Sequence, residues 1–243
     1  MPWRSATRKS LGNAVMSQGK LGFVLELVSS TQDLLDACAV RAQAYGHHLP
    51  DMGIGLAEPD ALDFDPGTTV FVCRDKRDGH AVGTMRIQSN AFGPLLMESS
   101  LSLPAWLHAS RAEITRLAVR VGADPLVRLG LWKASYLFCV ANRVDWMIVG
   151  ARNEALIRNY RRLGFIDALG HDELVPLAHT GGLMHRILAF DVVAAERAWA
   201  AARHPLYAFM VQTLHEDLKV DLPQRQPAHL FPAVTGQVQL AAA

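Results

Sequence analysis

Apolar positions along this chain recur with two periods, near two and near 3.6 residues, and the changes from one to the other delimit its elements. Leu21 to Val28 is short and apolar and predicts a first strand, and Thr31 or Asp33 can cap a helix to about Tyr45 with Leu34, Leu35, Cys38 and Ala42 on one face. His47 to Asp65 is rich in Gly, Pro and Asp and predicts a long irregular segment. Such loops in compact domains are often functional lids. Thr69 to Arg74 and Ala81 to Gln88 flank the charged turn Asp75-Lys-Arg-Asp-Gly79 and predict a hairpin, with Pro94 to Leu107 irregular or briefly helical after it. Glu113 to Val121 then reads as a strand, Leu126 to Asn142 as a helix, Asp145 to Ala151 as a strand and Asn153 to Leu163 as a helix. This β-α-β-α order implies an α/β (α+β) fold whose sheet contains a parallel step. Leu183 to Val192 offers another strand, and Ala194 to Arg203 and Pro205 to Lys219 predict two helices near the C-terminus.

Composition narrows the class. At 243 residues, half of them apolar, the chain can bury a full core. No repeat or long linker divides it, so one domain is expected over 21–222, between a basic tail at 1–20 and a loose, Pro-containing tail at 223–243. A net charge of +1 gives no whole-molecule attraction for nucleic acid or an anionic membrane. Cys38, Cys73 and Cys139 sit in apolar runs without metal-ligand spacing and read as reduced core residues of a cytoplasmic protein. Leu129 to Ala151 is interrupted by Lys133, Asn142, Arg143 and Asp145 and cannot span a membrane, and the first twenty residues lack the apolar run of a signal peptide. His47-His48, His171, His179 and His185 fit no zinc template, so no metal is expected. Neither a Gly-x-Ser-x-Gly elbow nor a Walker loop is present.

Candidate chemistry lies in the middle third. Val149 to Phe165 holds Asn153, Tyr160 seven residues on, and Gly164-Phe165 after that, and it resembles the signature of GNAT acyltransferases. Arg111-Ala-Glu-Ile-Thr-Arg116 resembles the Glu-x-[Ser/Thr]-Arg strand of acyl-homoserine-lactone synthases and long-chain N-acyl amino acid synthases. Upstream, Arg41-x-x-x-Tyr45 is similar to their Arg-x-x-x-Phe helix motif, Arg86 to their strand arginine, and Asp63 and Asp65 to their acidic loop. The resemblance covers roughly residues 33 to 165 and implies a GNAT-like splayed sheet in which Leu117, Ala118 and Val119 bind the acyl donor's pantetheine arm. It also implies catalytic roles for Glu113, Arg116 and Tyr160. Glu113 would accept the amine's proton and Tyr160 would protonate the departing thiolate, while Arg41, Tyr45, Arg86 and Asn153 contribute to the substrate site. A bulge is required here, because on a regular strand Glu113 and Arg116 point to opposite faces.

Coenzyme A-using members of the fold carry a two-glycine pyrophosphate loop. Here Arg128-Leu-Gly130-Leu-Trp-Lys133 has one glycine and a bulky Trp132, a poor pyrophosphate nest. Arg128 and Lys133 would suffice for the single phosphate of an acyl carrier protein. Arg158, Arg161 and Arg162, with Arg152 just before them, form a cationic ridge that would dock such an acidic partner. Surplus apolar residues near the C-terminus, Trp199, Tyr207, Phe209 and Met210, read as core packing or as the wall of an acyl tunnel. The function expected is transfer of a medium or long acyl group from acyl carrier protein to a small amine such as an amino acid, with no permanently bound cofactor. Alternatives are an acetyl-CoA-dependent N-acetyltransferase and an inactive ligand-sensing module.

Overall fold

The computed structural model describes residues 17–220 except residue 171. The tail expected at 223–243 and most of that expected at 1–20 lie outside the described residues. β1 (Ser17–Gln18) and β2 (Phe23–Leu27) lead into α1 (Thr31–Gly46). Ser30, rather than Thr31 or Asp33, caps α1: its hydroxyl accepts from the Asp33 amide while the Asp33 carboxylate accepts from the Ser30 amide. This reciprocal box satisfies two of the donors that a helix start leaves free. The buried stripe of α1 runs through Leu34, Ala37, Cys38, Val40 and Arg41, whereas Leu35 stays on the exposed side. Beyond it the segment expected to be irregular forms α2 (Pro50–Gly55), with Pro50 at the first position, where its missing N–H costs nothing.

β3 (Thr68–Asp75) and β4 (Ala81–Ser89) form the expected antiparallel hairpin. β5 (Arg111–Val119), α3 (Leu126–Ala141), β6 (Trp146–Ala151) and α4 (Glu154–Leu163) follow as the periodicity implied. Asn153 caps α4, and Gly164, at φ +106°, ends it in a left-handed conformation suited to glycine. The described residues finish with β7 (Ile166–Asp167), β8 (Val175–Leu177), β9 (Leu183–Asp191), α5 (Val192–Ala201), β10 (Thr213–Leu214) and β11 (Leu218–Lys219).

One expected element is replaced. Over Pro205 to Lys219 there is no regular helix, only a π-helical turn at Ala208–Gln212 followed by two short strands. Lys133, buried in α3, donates to the carbonyls of Phe209 and Thr213 at 2.7 and 2.5 Å and lies 3.0 Å from His215 Nδ1. β11 pairs in parallel with β2 at the sheet edge, and β10 with β1. Those tertiary partners outweigh a helix propensity that is only a weak prior.

The main sheet has the order β11-β2-β3-β4-β5-β6-β9-β7, with β8 also on β9. On one face α3, α4 and α5 cover Phe71, Met85, Ile114, Met147 and Leu188, and the aromatic rings of Trp132, Tyr136, Phe165, Phe190 and Trp199 pack together there. On the other, α1 covers Val70 and Val72, and the 94–107 segment covers Ile148 and Ile187. All three cysteines are buried thiols. Among the described residues no helix is long and apolar enough to cross a membrane.

Candidate active site

The central step of the sheet opens into a wedge. Parallel pairing of β5 with β6 runs from Arg111↔Trp146 only as far as Ile114↔Val149. β5 continues to Val119 beside β4, and Gly150 and Ala151 of β6 continue beside β9. The two strands thus part company just where Thr115 and Gly150 would otherwise pair, and Ala118 lies three residues further along the open edge of β5. The gap is a cleft of about 580 Å³ lined by Leu117, Ala118, Val119, Gly150, Asn153 and Tyr160, among others, a volume in the range of small-molecule sites.

A bulge at Arg116 makes this wedge chemically useful. Thr84 pairs with Ala118 but Arg86 with Thr115, so Arg116 and Leu117 together oppose the single residue Met85. Arg116 takes φ +55°, a left-handed conformation costing a side-chain-bearing residue about 1–2 kcal/mol. The extra residue reverses the alternation of side chains. Ala112 and Ile114 pack toward α3, whereas Ala118, of the same parity, packs with Leu34 and Cys38 of α1. Glu113 and Arg116 consequently both line the cleft, which a regular strand would forbid.

Glu113 is buried, accepts from the Met97 amide at 2.9 Å, and has its carboxyl pushed up to about 7 by that burial. Such a group changes charge near neutral pH and suits general-base work. Tyr160 enters the cleft from α4, its ring edge-on to Trp132 with centroids 5.3 Å apart. Burial pushes its phenol above the ordinary range, so it remains a proton donor. Tyr45 lines the cleft from the C-terminal end of α1, and its hydroxyl donates to the Leu117 carbonyl at 3.5 Å. Asn153 also lines it, with its side-chain oxygen accepting from the Leu156 amide at 3.0 Å.

Arg41 and Arg86 sit behind the cleft wall rather than on it. Arg41 makes a bidentate pair with Asp63 at 2.8 and 3.0 Å, both side chains buried. Arg86 donates to Asp63 at 3.1 Å, to Asp60 at 2.6 Å and through Nε to Thr115 at 3.0 Å. Arg116 completes the network by donating to Asp60 at 3.2 Å, while its buried Nε has no partner. Burial works against ionisation of Asp60, but Arg86 and Arg116 outweigh it and hold the carboxyl below its ordinary value. The long segment after α2 is therefore anchored under the sheet by charge. Of the three arginines, Arg116 alone reaches the cleft with donors to spare. Asp65 stands apart, its carboxylate accepting from the Gly67 amide at 2.7 Å.

The donor side differs from the expectation at two residues. Lys133 is committed to the strap at 209–215, as described, and cannot reach a phosphate at the cleft. Gly130 is buried inside α3, where a methyl group would come within 2.8 Å of the Phe23 ring; its smallness serves helix-on-strand packing. Arg128 does line the cleft and is exposed, and it is joined by Arg120, which the sequence reading missed. The start of α3 is no phosphate nest: the Asp124 carboxylate accepts from the Leu126 amide at 2.8 Å, and the Asp124 carbonyl from the Val127 amide at 2.9 Å. Trp199 and Met210 lie in the core rather than on the cleft.

Arg152 lines the cleft mouth, and Arg158 and Arg162 are exposed just beyond Ala155 and Asn159 on its rim. Arg161 instead pairs with Asp167 at 2.8 Å. Among the described residues lining the cleft, Arg116, Arg120, Arg128 and Arg152 face a single carboxylate, Glu113. His179 and His185 also line it, and no motif in the sequence marked either for this cleft.

No protein-family model matches the chain, and no curated protein does. Solved structures do. FeeM, an N-acyl amino acid synthase from uncultured soil microbes, superposes with a TM-score of 0.55 at 16% identity, covering 77% of this chain and 98% of that one. BjaI, a CoA-dependent acyl-homoserine lactone synthase solved with SAM and isopentyl-CoA, gives 0.52 at 18% identity, covering 84% and 95%. A putative acetyltransferase of the GNAT family from Desulfovibrio desulfuricans gives 0.51 at 15% identity, covering 70% and 99%. The chain has the GNAT fold, with the splayed mixed sheet expected of it.

Proposed function

We propose that this protein is an N-acyltransferase that moves a medium or long fatty acyl group from acyl carrier protein to the amine of an amino acid or similar small amine. One observation carries the reading: the β5–β6 wedge brings Glu113 and Arg116 from one side of the sheet, and Tyr160 from the other, to one cleft. The thioester lies along Leu117, Ala118 and Val119 on the edge of β5 that β6 leaves open, held by main-chain hydrogen bonds. The acceptor enters beside Tyr45 with its carboxylate on the guanidinium of Arg116, which lines the cleft. Glu113 takes a proton from the ammonium, the freed amine attacks the thioester carbonyl, and Tyr160 protonates the thiolate as the C–S bond breaks. Placing the two reactants side by side supplies much of the rate, on the order of 7–11 kcal/mol in well-oriented systems. Arg41 and Arg86 act as positioning residues through Asp60 and Asp63, and Asn153 through the cap of α4.

Carrier protein is favoured as donor by the blocked start of α3, which leaves Arg128 and Arg120 to meet one phosphate. Arg152, Arg158 and Arg162 form the docking rim. The test is incubation with palmitoyl-carrier protein and, separately, acetyl-CoA, each with a mixture of amino acids, measuring free thiol and new N-acyl amides. Thiol and amide from the carrier protein support the reading. Release from CoA alone overturns the donor assignment, and release from neither overturns transfer itself.

A further inference from the structure

Forming an amide from an ammonium and a thioester removes two protons from nitrogen. Glu113 accounts for the first in the reading above, and the tetrahedral adduct still carries the second. In that reading the adduct forms in the cleft that Gly150 lines.

His185 of β9 lies at this point. It lines the cleft and is buried. Its Nδ1 is 2.7 Å from the Leu183 carbonyl oxygen. A carbonyl can only accept, so Nδ1 carries the hydrogen and the neutral ring presents Nε2 as a lone pair. A methyl group at Gly150 would come within 3.2 Å of His185 Cδ2, the carbon bonded to Nε2. The Cβ–Cδ2 side of His185 therefore packs against Gly150 of β6, with Nε2 next to Cδ2 on a ring that lines the cleft. Burial, with Arg152 adding to it, keeps the ring below its ordinary pKa and hence neutral at neutral pH.

We propose that His185 Nε2 is a second catalytic base, taking the remaining proton from the nitrogen of the tetrahedral adduct. This inference rests on the acyltransferase reading. The amine nitrogen has by then bonded to the thioester carbon and bears two hydrogens and a positive charge. His185 removes one hydrogen, leaving the neutral amine, and the oxyanion's electron pair re-forms the carbonyl as the C–S bond breaks. The thiolate takes the Tyr160 proton, the phenolate recovers one from His185 through water, and the Glu113 proton leaves to solvent. The net yield is one amide, one thiol and one released proton.

The experiment uses palmitoyl-carrier protein with a mixture of amino acids and reads thiol release by the full-length protein. His185→Asn keeps a donor for the Leu183 carbonyl but offers no base, so kcat should fall about 100-fold with thermal stability near wild type. His185→Ala should fall as far and be restored at least in part by added imidazole. Carbethoxylation of the wild-type protein, mapped by mass spectrometry, reads the same atom without a variant. Loss of turnover should track the modified fraction of His185 and be slowed by bound donor. Wild-type kcat in His185→Asn, or inactivation that tracks a different histidine, overturns the role of His185 while leaving the acyltransferase reading intact. Absence of turnover in the wild-type protein overturns both.

Discussion

As the proposed base, Glu113 should couple activity and stability to pH with opposite signs. Its folded carboxyl titrates near 7, above the ordinary 4.5, because burial penalises the charged form. As a base it must be ionised, so the transfer rate should climb with pH through about 7. Folding works the other way. Between 4.5 and 7 the folded protein holds this proton and the unfolded chain does not, so stability contributed below that window is lost as pH rises through it. Glu113→Gln should flatten both curves and lower kcat roughly 100-fold; pH–rate and pH–melting profiles recorded together check this. A variant that keeps the wild-type acid limb would assign that limb to another group. The glutamate was legible from its motif, whereas its raised pKa comes from the cover of the 94–107 segment, which no local pattern announces.

The bulge in β5 stores strain at Arg116, the residue proposed to hold the acceptor. Arg116→Gly would relieve about 1–2 kcal/mol of left-handed strain, set against about 0.5–1 kcal/mol of added chain entropy in the unfolded state. Its melting temperature should therefore stay within a few degrees of wild type while KM for the acceptor rises at least tenfold. A large loss of stability would make Arg116 a structural residue instead. Behind it, Arg41 ties α1 to the loop through Asp63, with both side chains buried. Arg41→Met should cost about 3–5 kcal/mol in denaturant unfolding; a cost under about 1 kcal/mol would mean the network does not hold the loop. Elements with strong periodicity, such as α3 and α4, were legible along the chain. The 205–219 strap was not, because its conformation is set by Lys133 and by β2, far away in sequence.

At the scale of the molecule, a net charge of +1 conceals a strongly cationic cleft. Association with an acidic carrier protein should weaken as salt shortens the screening length from about 10 Å at 0.1 M to about 3 Å at 1 M. Reversing Arg158 and Arg162 to Glu should raise KM for acyl-carrier protein at least tenfold while leaving turnover of a small acyl-pantetheine unchanged. Equal effects on both donors would place those arginines outside the docking surface.

Much of the architecture follows from the sequence alone. Hydrophobic period assigned the order of strands and helices, and two short motifs pointed to Glu113, Arg116 and Tyr160, because these signals are local. Three things were decided only by the tertiary structure. Pairing between β5 and β6 stops at Ile114 and Val149, which opens the cleft. One extra residue in β5 turns Arg116 to the same side as Glu113. Strand β9, paired with β6, places His185 on the cleft wall, while α3 withdraws Lys133 and Gly130 from it. Each depends on register and burial between segments distant in sequence, and side-chain direction across a sheet is defined only once a partner strand is in place.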